Sequence, residues 1–154
     1  MYCPNLIFLE IIIYSYIDLS VLGFLKNLRI RILDIDISYN IDNFFINLAN
    51  NIPINISKIS ISIYLGELNK SFLKFKEFLE NCNNSFEIIN LNRIIESQLL
   101  EIVLNYIERS NNSLKILGMK LNEKLNDKEL KLLNQIKAKG VKIVEFNSIV
   151  MFSI

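Results

Sequence analysis

The sequence predicts an α/β solenoid of about six strand–helix repeats, with a parallel sheet on its concave face and helices on its convex face. The first observation is an internal repeat, because CNNSFEIINLNRI at 82–94 recurs in similar form 28 residues later as SNNSLKILGMKLN at 110–122. The second is an apolar-x-x-apolar-x-apolar frame that fits six places with a mean spacing of 27 residues. The third is an apolar stripe of helical period that follows a strand. Stacked units of this kind share one core, which accounts for the high apolar content.

Each copy of the frame predicts a short strand, because alternate residues of a strand point to one face and can be buried together. Five copies have one register each, namely Leu6/Leu9/Ile11, Ile56/Ile59/Ile61, Phe86/Ile89/Leu91, Leu114/Leu117/Met119 and Val141/Val144/Phe146. The segment RIRILDIDIS at 29–38 allows two registers, either Ile30/Leu33/Ile35 or Ile32/Ile35/Ile37.

The segments between these strands have the spacing of helices, and parallel strands need such a crossover connection. Two apolar stripes are clear, namely Phe72/Phe75/Leu79/Cys82 and Leu99/Val103/Tyr106/Ser110. Asn126 followed by Glu129 predicts a capping box at the start of the last helix. Gly140 lies where a glycine commonly ends a helix.

Composition limits the classes of partner. The chain has 154 residues, 51% of them hydrophobic, a mean hydropathy of +0.31, and 17 basic against 16 acidic residues. The charges are mixed along the chain, so no basic face is predicted and nucleic acid is not expected as a partner. Glu10 and Asp18 interrupt the apolar stretch 6–25 and make it a poor membrane span or signal peptide. We therefore expect no membrane association, and a cytoplasmic or nuclear protein.

The sequence contains no recognisable reaction centre. It has no histidine, no glycine-rich phosphate loop and no paired-cysteine motif, so we predict that it is not an enzyme and has no metal or cofactor. Asp34 and Asp36 form the only close carboxylate pair on a strand and are interpreted as part of a solvated face. Cys3 and Cys82 lie three repeats apart, roughly 14 Å at about 4.8 Å per strand, which is too far for a disulfide.

The phrases YCPNLIFLEI, ENCNNSFEIINLN and ERSNNSLKILGMKLN resemble the cysteine-containing leucine-rich repeats of F-box proteins, particularly large fungal families rich in Ile and Asn. The resemblance covers nearly the whole chain and implies a single leucine-rich-repeat domain, 1–154, of the ribonuclease-inhibitor-like type. It implies a substrate-reading role in a ubiquitin-ligase receptor. The F-box itself, of the Leu-Pro-x-Glu type, has no match, so we expect a fragment without an N-terminal cap. A ligase adaptor would be a partner only if an F-box lies upstream.

Two other interpretations remain open: a stand-alone leucine-rich-repeat binder or inhibitor, and a truncated gene copy without a selected function. If the chain is a recognition module, its partner is a protein and its contacts come from the exposed strand positions. Together with Ile12, the frame predicts these as Glu10, Asp34, Asp36, Lys58, Ser60, Ser62, Asn90, Asn92, Lys120, Glu145 and Asn147.

Overall fold

The fold is an alternation of parallel strands and helices, as the repeat frame predicts. The computed structural model describes residues 6–13, 19–37, 43–63, 68–121 and 124–148. The strands are β1 (Phe8–Ile13), β2 (Ile32–Ile37), β3 (Lys58–Ile63), β4 (Ile88–Ile94), β5 (Ile116–Lys120) and β6 (Lys142–Glu145). The α-helices are α1 (Phe44–Asn51), α2 (Leu68–Asn81), α3 (Ser97–Arg109) and α4 (Asp127–Ala138). Two 3-10 helices are η1 (Leu19–Asn27) and η2 (Phe146–Ser148).

The six strands form one parallel sheet in chain order, β1 to β6. Leu33 lies opposite Leu9 on one side and Ile59 on the other, so β2 takes the register Ile30/Leu33/Ile35. The same row continues through Ile89 and Leu117. The predicted frames of β1, β3, β4 and β5 are therefore confirmed, and the ambiguity in β2 is resolved.

The predicted frame of β6 is wrong by one residue. Ile143, and not Val144, lies opposite Leu117 and packs against the core. The reason is the turn that ends α4, in which Gly140 has a φ of +85° and the buried Val141 follows directly. Only one residue separates Val141 from Ile143, whereas two separate Leu114 from Leu117 in the preceding copy. Phe146 accordingly falls in η2 and outside the strand.

One face of the sheet packs against the helices. Inward strand residues and the apolar stripes of α1 to α4 belong to a single core, and successive helices contact one another. Aromatic rings continue this packing along the stack, with ring centroids 5.7 Å apart for Phe45 and Phe78 and 6.3 Å apart for Phe78 and Phe86. No helix within the described ranges is both long and apolar enough to cross a membrane.

The predicted cap of α4 is confirmed. The side chain of Asn126 accepts a hydrogen bond from the Glu129 amide at 2.8 Å, and the Glu129 carboxylate accepts one from the Asn126 amide at 3.0 Å. Both interactions satisfy amides that have no partner within the helix. Cys82 is a buried free thiol at the end of α2, whereas Cys3 lies outside the described residues.

The repeated phrase joins neighbouring strand–helix units in both of its copies. Asn84 is buried, and its amide group donates to the carbonyl oxygens of Pro53 at 2.8 Å and Ile56 at 3.1 Å. The corresponding Asn112 instead has a φ of 57°, a left-handed conformation that asparagine tolerates. In this second copy the Ser113 hydroxyl donates to the carbonyl of Phe86 at 3.1 Å. Each copy therefore joins its own turn to the preceding strand–helix unit, through different residues.

Candidate interaction surface

The sheet face opposite the helices, called the open face below, carries three rows of side chains that run across the strands. The first row contains Phe8, Ile32, Lys58, Ile88, Ile116 and Lys142. The second row contains Glu10, Asp34, Ser60, Asn90, Gly118 and Val144. The third row contains Ile12, Asp36 and Ser62, together with Asn92, whose amide contacts Ser62.

Most of the predicted contact residues lie on this face, but several are less exposed than the frame predicts. Glu10 and Lys120 are exposed, whereas Asp34, Asp36, Lys58 and Asn92 are half-buried. Ser60, Ser62 and Asn90 retain only 3%, 6% and 4% of their accessible surface. The prediction that these three are solvent-exposed is wrong. Ser60 and Ser62 are short side chains on β3 that lie opposite Asp34 and Asp36 of β2, and the Asn90 amide contacts the Ser60 hydroxyl.

Two predicted contact residues, Glu145 and Asn147, do not lie in the three rows, because the frame of β6 is shifted by one residue. Glu145 lies opposite Met119, is half-buried, and accepts a hydrogen bond from the Leu121 amide at 3.0 Å. Asn147 is exposed but lies in η2 and not on a strand. Lys120 lies opposite Ile94, because the pairing of β4 and β5 is shifted after Asn90. The predicted contacts at this end of the sheet therefore do not form one continuous ladder.

The first row contains apolar residues that the sequence frame did not identify as candidate contacts. Ile32 and Ile88 form a small apolar cluster on the open face, with Phe8 and Ile116 packed against it. This cluster is separate from the main core. The signal was present in the sequence, because the residue just before the second apolar position is itself apolar in four of the six copies once β6 takes its corrected frame. Our frame treated that position as variable.

The second row is joined by side-chain hydrogen bonds between neighbouring strands. Asn90 donates from its amide nitrogen to the Ser60 hydroxyl at 3.4 Å, and Ser60 is hydrogen-bonded to the carboxylate of Asp34. A similar contact in the third row joins the amide nitrogen of Asn92 to the Ser62 hydroxyl at 3.0 Å. These bonds hold the polar side chains of the open face in a fixed arrangement from β2 to β4.

Three oxygen atoms in these two rows are inaccessible and have no hydrogen-bond partner among the described residues. They are one carboxylate oxygen of Asp36 and the side-chain carbonyl oxygens of Asn90 and Asn92. A buried acceptor without a donor costs about 1–3 kcal/mol.

The open face is acidic on β1 and β2. Burial raises the pKa of Asp34 above its ordinary value of 3.8, and the negative charges of Glu10 and Asp36 raise it further. The hydrogen bond from Ser60 and the backbone of Ile35 act in the opposite direction. Within the described part of the chain, the ion pairs join residues in the helices or at their ends and involve none of these three carboxylates.

A basic region borders the first row at the amino-terminal ends of β2 and β3. Arg29, Arg31 and Lys58 line an open cavity of about 570 Å³, together with the acidic side chain of Glu87. The charges of the molecule are therefore separated locally although they balance overall. The described residues contain no cluster of three or more acidic, cysteine or histidine side chains arranged to hold a metal ion.

Comparison of the chain with protein-family models, with curated proteins and with solved structures gave no match.

Proposed function

We propose that this chain is a leucine-rich-repeat solenoid that recognises a protein partner through the open face of its sheet. The observation that carries the proposal is the apolar cluster on this face, in which Ile32 and Ile88 are buried and Phe8 and Ile116 remain partly accessible. It lies on the side of the sheet that the helices leave uncovered, beside two rows of polar side chains. Apolar groups bordered by polar ones are the usual composition of a protein-binding surface.

The dimensions of the open face favour a polypeptide over a small molecule. Six strands at about 4.8 Å spacing extend across roughly 24 Å. A small substrate is normally enclosed on several sides in a deep pocket, whereas repeat proteins bind partners over broad sheet surfaces. The three rows offer many weak contacts along the face, and this arrangement suits recognition of an extended or helical polypeptide segment.

The repeat assignment is supported by sequence and topology together. Strands in chain order, joined by helices that contact their successors, are what stacked strand–helix units require. The units share an inward pair of apolar strand residues, such as Leu33 with Ile35. The phrases ENCNNSFEIINLN and ERSNNSLKILGMKLN add the resemblance to cysteine-containing repeats.

Within this proposal, the partner is a substrate protein presented for ubiquitylation in the cytoplasm or nucleus. The support is the resemblance of the cysteine-containing phrases to repeats of F-box proteins. The direct test is the 5′ end of the native transcript, read through to its start codon. An upstream Leu-Pro-x-Glu segment would support a ligase receptor and make adaptor binding the next measurement. A stop codon just before Met1 would leave a stand-alone binder or a truncated copy.

The recognition role is tested by comparing two variants in affinity purification from the native host. Ile116→Arg places a charge on the open face, and Leu130→Arg makes the same kind of change on the exposed side of α4. We expect a protein that is retained by the wild type and by Leu130→Arg but lost with Ile116→Arg. Equal retention by both variants, with both folded by circular dichroism, would overturn the use of the open face.

A further inference from the structure

We propose that the basic region at the amino-terminal ends of β2 and β3 binds an acidic segment of the protein partner, through Arg29, Arg31 and Lys58. These three side chains line one open cavity of about 570 Å³. The inference rests on the proposed function, because it assumes that a protein docks on the open face. It adds the chemistry of that protein, which must carry carboxylate side chains where it reaches this edge of the sheet.

The first step concerns charge. The cavity is lined by these three cationic side chains and by one carboxylate, that of Glu87, so positive charge is in excess. Within the described ranges, none of the four side chains forms an ion pair. Arg29 and Arg31 are exposed and Lys58 is half-buried, so an incoming group can reach them. The repulsion among like charges in one cavity is relieved by an anion from outside.

The second step concerns the groups that can hold the anion. The backbone amides of Arg31, Ser57 and Glu87 donate to carbonyl oxygens of the preceding unit, at 2.9, 3.0 and 2.7 Å. They are therefore not free to form a phosphate cradle of the kind that is built from backbone amides. The available donors are side chains, and Asn55 and Ser57 line the cavity together with the three cations. A guanidinium group binds a carboxylate through two parallel hydrogen bonds, so these donors suit acidic side chains.

The third step concerns the extent of the acidic segment. Glu87 lines the cavity itself. Further negative charge lies beyond the apolar first row, where the second and third rows contain Glu10, Asp34 and Asp36. A polyanion such as nucleic acid would carry its charge into these rows and be repelled there. A short acidic segment of a protein can place its carboxylates in the cavity and its neutral residues over the acidic rows.

The fourth step concerns continuity with the apolar cluster. Ile32 belongs to both features, because it lines the cavity and packs in the cluster with Ile88. Lys58 lies between Ile32 and Ile88 in the first row, opposite each of them on an adjacent strand. A partner segment that fills the cavity therefore also reaches the first row. Acidic and apolar residues of one segment can be bound together, which fixes the direction in which the partner crosses the open face.

The test uses the whole chain labelled with ¹⁵N and titrated with acetyl-Leu-Glu-Glu-Glu-Leu-amide. The control peptide is acetyl-Leu-Gln-Gln-Gln-Leu-amide, which has nearly the same shape but no charge. We expect the acidic peptide to shift the backbone amide signals of Arg31, Ser57 and Lys58 and to bind at least about tenfold more tightly than the control. Equal binding of the two peptides, or shifts confined to other parts of the molecule, would overturn the inference. Tighter binding of inorganic phosphate or of an eight-residue thymidine oligonucleotide at these residues would assign a phosphate site and also overturn it.

Matched variants separate local from overall charge. Arg29→Gln with Arg31→Gln removes two positive charges from the cavity, and Lys124→Gln with Lys131→Gln removes two from exposed positions in and just before α4. We expect the first pair to weaken binding of the acidic peptide about tenfold and the second pair to leave it unchanged. Equal effects of the two pairs would contradict a specific site.

A change of opposite sign is provided by Glu87→Gln, which removes the negative charge that lines the cavity. It should strengthen binding of the acidic peptide about threefold, because like charges a few ångströms apart repel even in water. Unchanged or weaker binding would place the peptide outside the cavity and overturn the inference. If the acidic peptide does not bind although Ile116→Arg still abolishes partner retention, this inference fails and the proposed function stands.

Discussion

The hydroxyl group of Tyr106 donates a hydrogen bond of 2.7 Å to the backbone carbonyl of Asn84. The hydroxyl oxygen also accepts a hydrogen bond from the Phe86 backbone amide at 2.8 Å. One side chain of α3 therefore provides partners for the Asn84 carbonyl and the Phe86 amide in the buried turn before β4. The turn cannot supply these bonds itself, because the amide group of Asn84 is used on Pro53 and Ile56 of the preceding unit. Three successive units are thereby joined by polar contacts inside the apolar stack.

Tyr106→Phe should therefore be costly although it removes one atom. It leaves the Asn84 carbonyl and the Phe86 amide without partners, and two such buried groups cost about 2–4 kcal/mol of unfolding free energy. Urea denaturation followed by circular dichroism measures the loss. The control is Ser148→Ala, which removes an exposed hydroxyl that donates to the backbone carbonyl of Glu145 at 2.7 Å. A similar cost for the two variants would show that the bridge adds nothing.

The corrected frame of β6 gives a second prediction. Ile143→Asp should lower the unfolding free energy by about 2–4 kcal/mol, because Ile143 packs against the core. Val144→Asp should cost less than about 1 kcal/mol, since Val144 lies in the second row of the open face. Chemical denaturation of both variants measures the difference. If Val144→Asp were the more damaging change, the strand would follow the frame Val141/Val144/Phe146.

The ionisation of Asp34 predicts a dependence of stability on pH. Because burial raises the pKa of Asp34 in the folded chain, the folded state binds more protons than the unfolded state between pH 3.8 and that raised value. The contribution of Asp34 to stability therefore falls as the pH rises through this window. We expect Asp34→Asn to match or exceed the wild type in unfolding free energy at pH 7, and to lose that advantage below pH 3.8.

Urea denaturation of both proteins at several pH values measures this difference. Glu87→Gln, at an exposed position just before β4, provides a control for general loss of negative charge. A larger advantage of Asp34→Asn at low pH than at pH 7 would contradict the sign of the effect.

The inward half of the fold was predictable because burial imposes a repeated pattern on the sequence. Leu33, Ile59 and Ile89 occupy one row of the sheet, and any polar residue there would be buried without a partner. The apolar frame therefore identifies them with little ambiguity. Even the two registers of β2 differ only in which of its isoleucine residues start the frame.

The open face was harder to predict because several environments there accept the same residue types. Ile88 was overlooked because the pattern of one strand does not show which residues of the neighbouring strands lie beside it. Its apolar cluster appears only when the strands are aligned in the sheet. Ser60 and Asn90 look like solvated residues in the sequence, and only the sheet shows that their neighbours cover them. The shift in β6 depends on one residue of the turn at Gly140, which the apolar period does not record.

The edge of the sheet at β1 gives the last prediction. Leu9 and Ile11 lie opposite Leu33 and Ile35, which are fully buried, yet they are themselves only half-buried. Among the described strands, β1 pairs on one side only, and an apolar edge strand associates readily with another chain. We therefore expect the isolated chain to self-associate through β1 as its concentration rises.

Sedimentation velocity over a concentration series measures this association. Ile12→Lys places a charge on the edge strand at a side chain that is 40% exposed, and it should shift the distribution towards the monomer. Ile94→Lys makes the same change at a side chain that is 48% exposed, on the interior strand β4, and should leave self-association unchanged. A wild-type chain that stays monomeric throughout the series would show that the β1 edge is already protected. Equal effects of the two substitutions would place the contact elsewhere on the molecule.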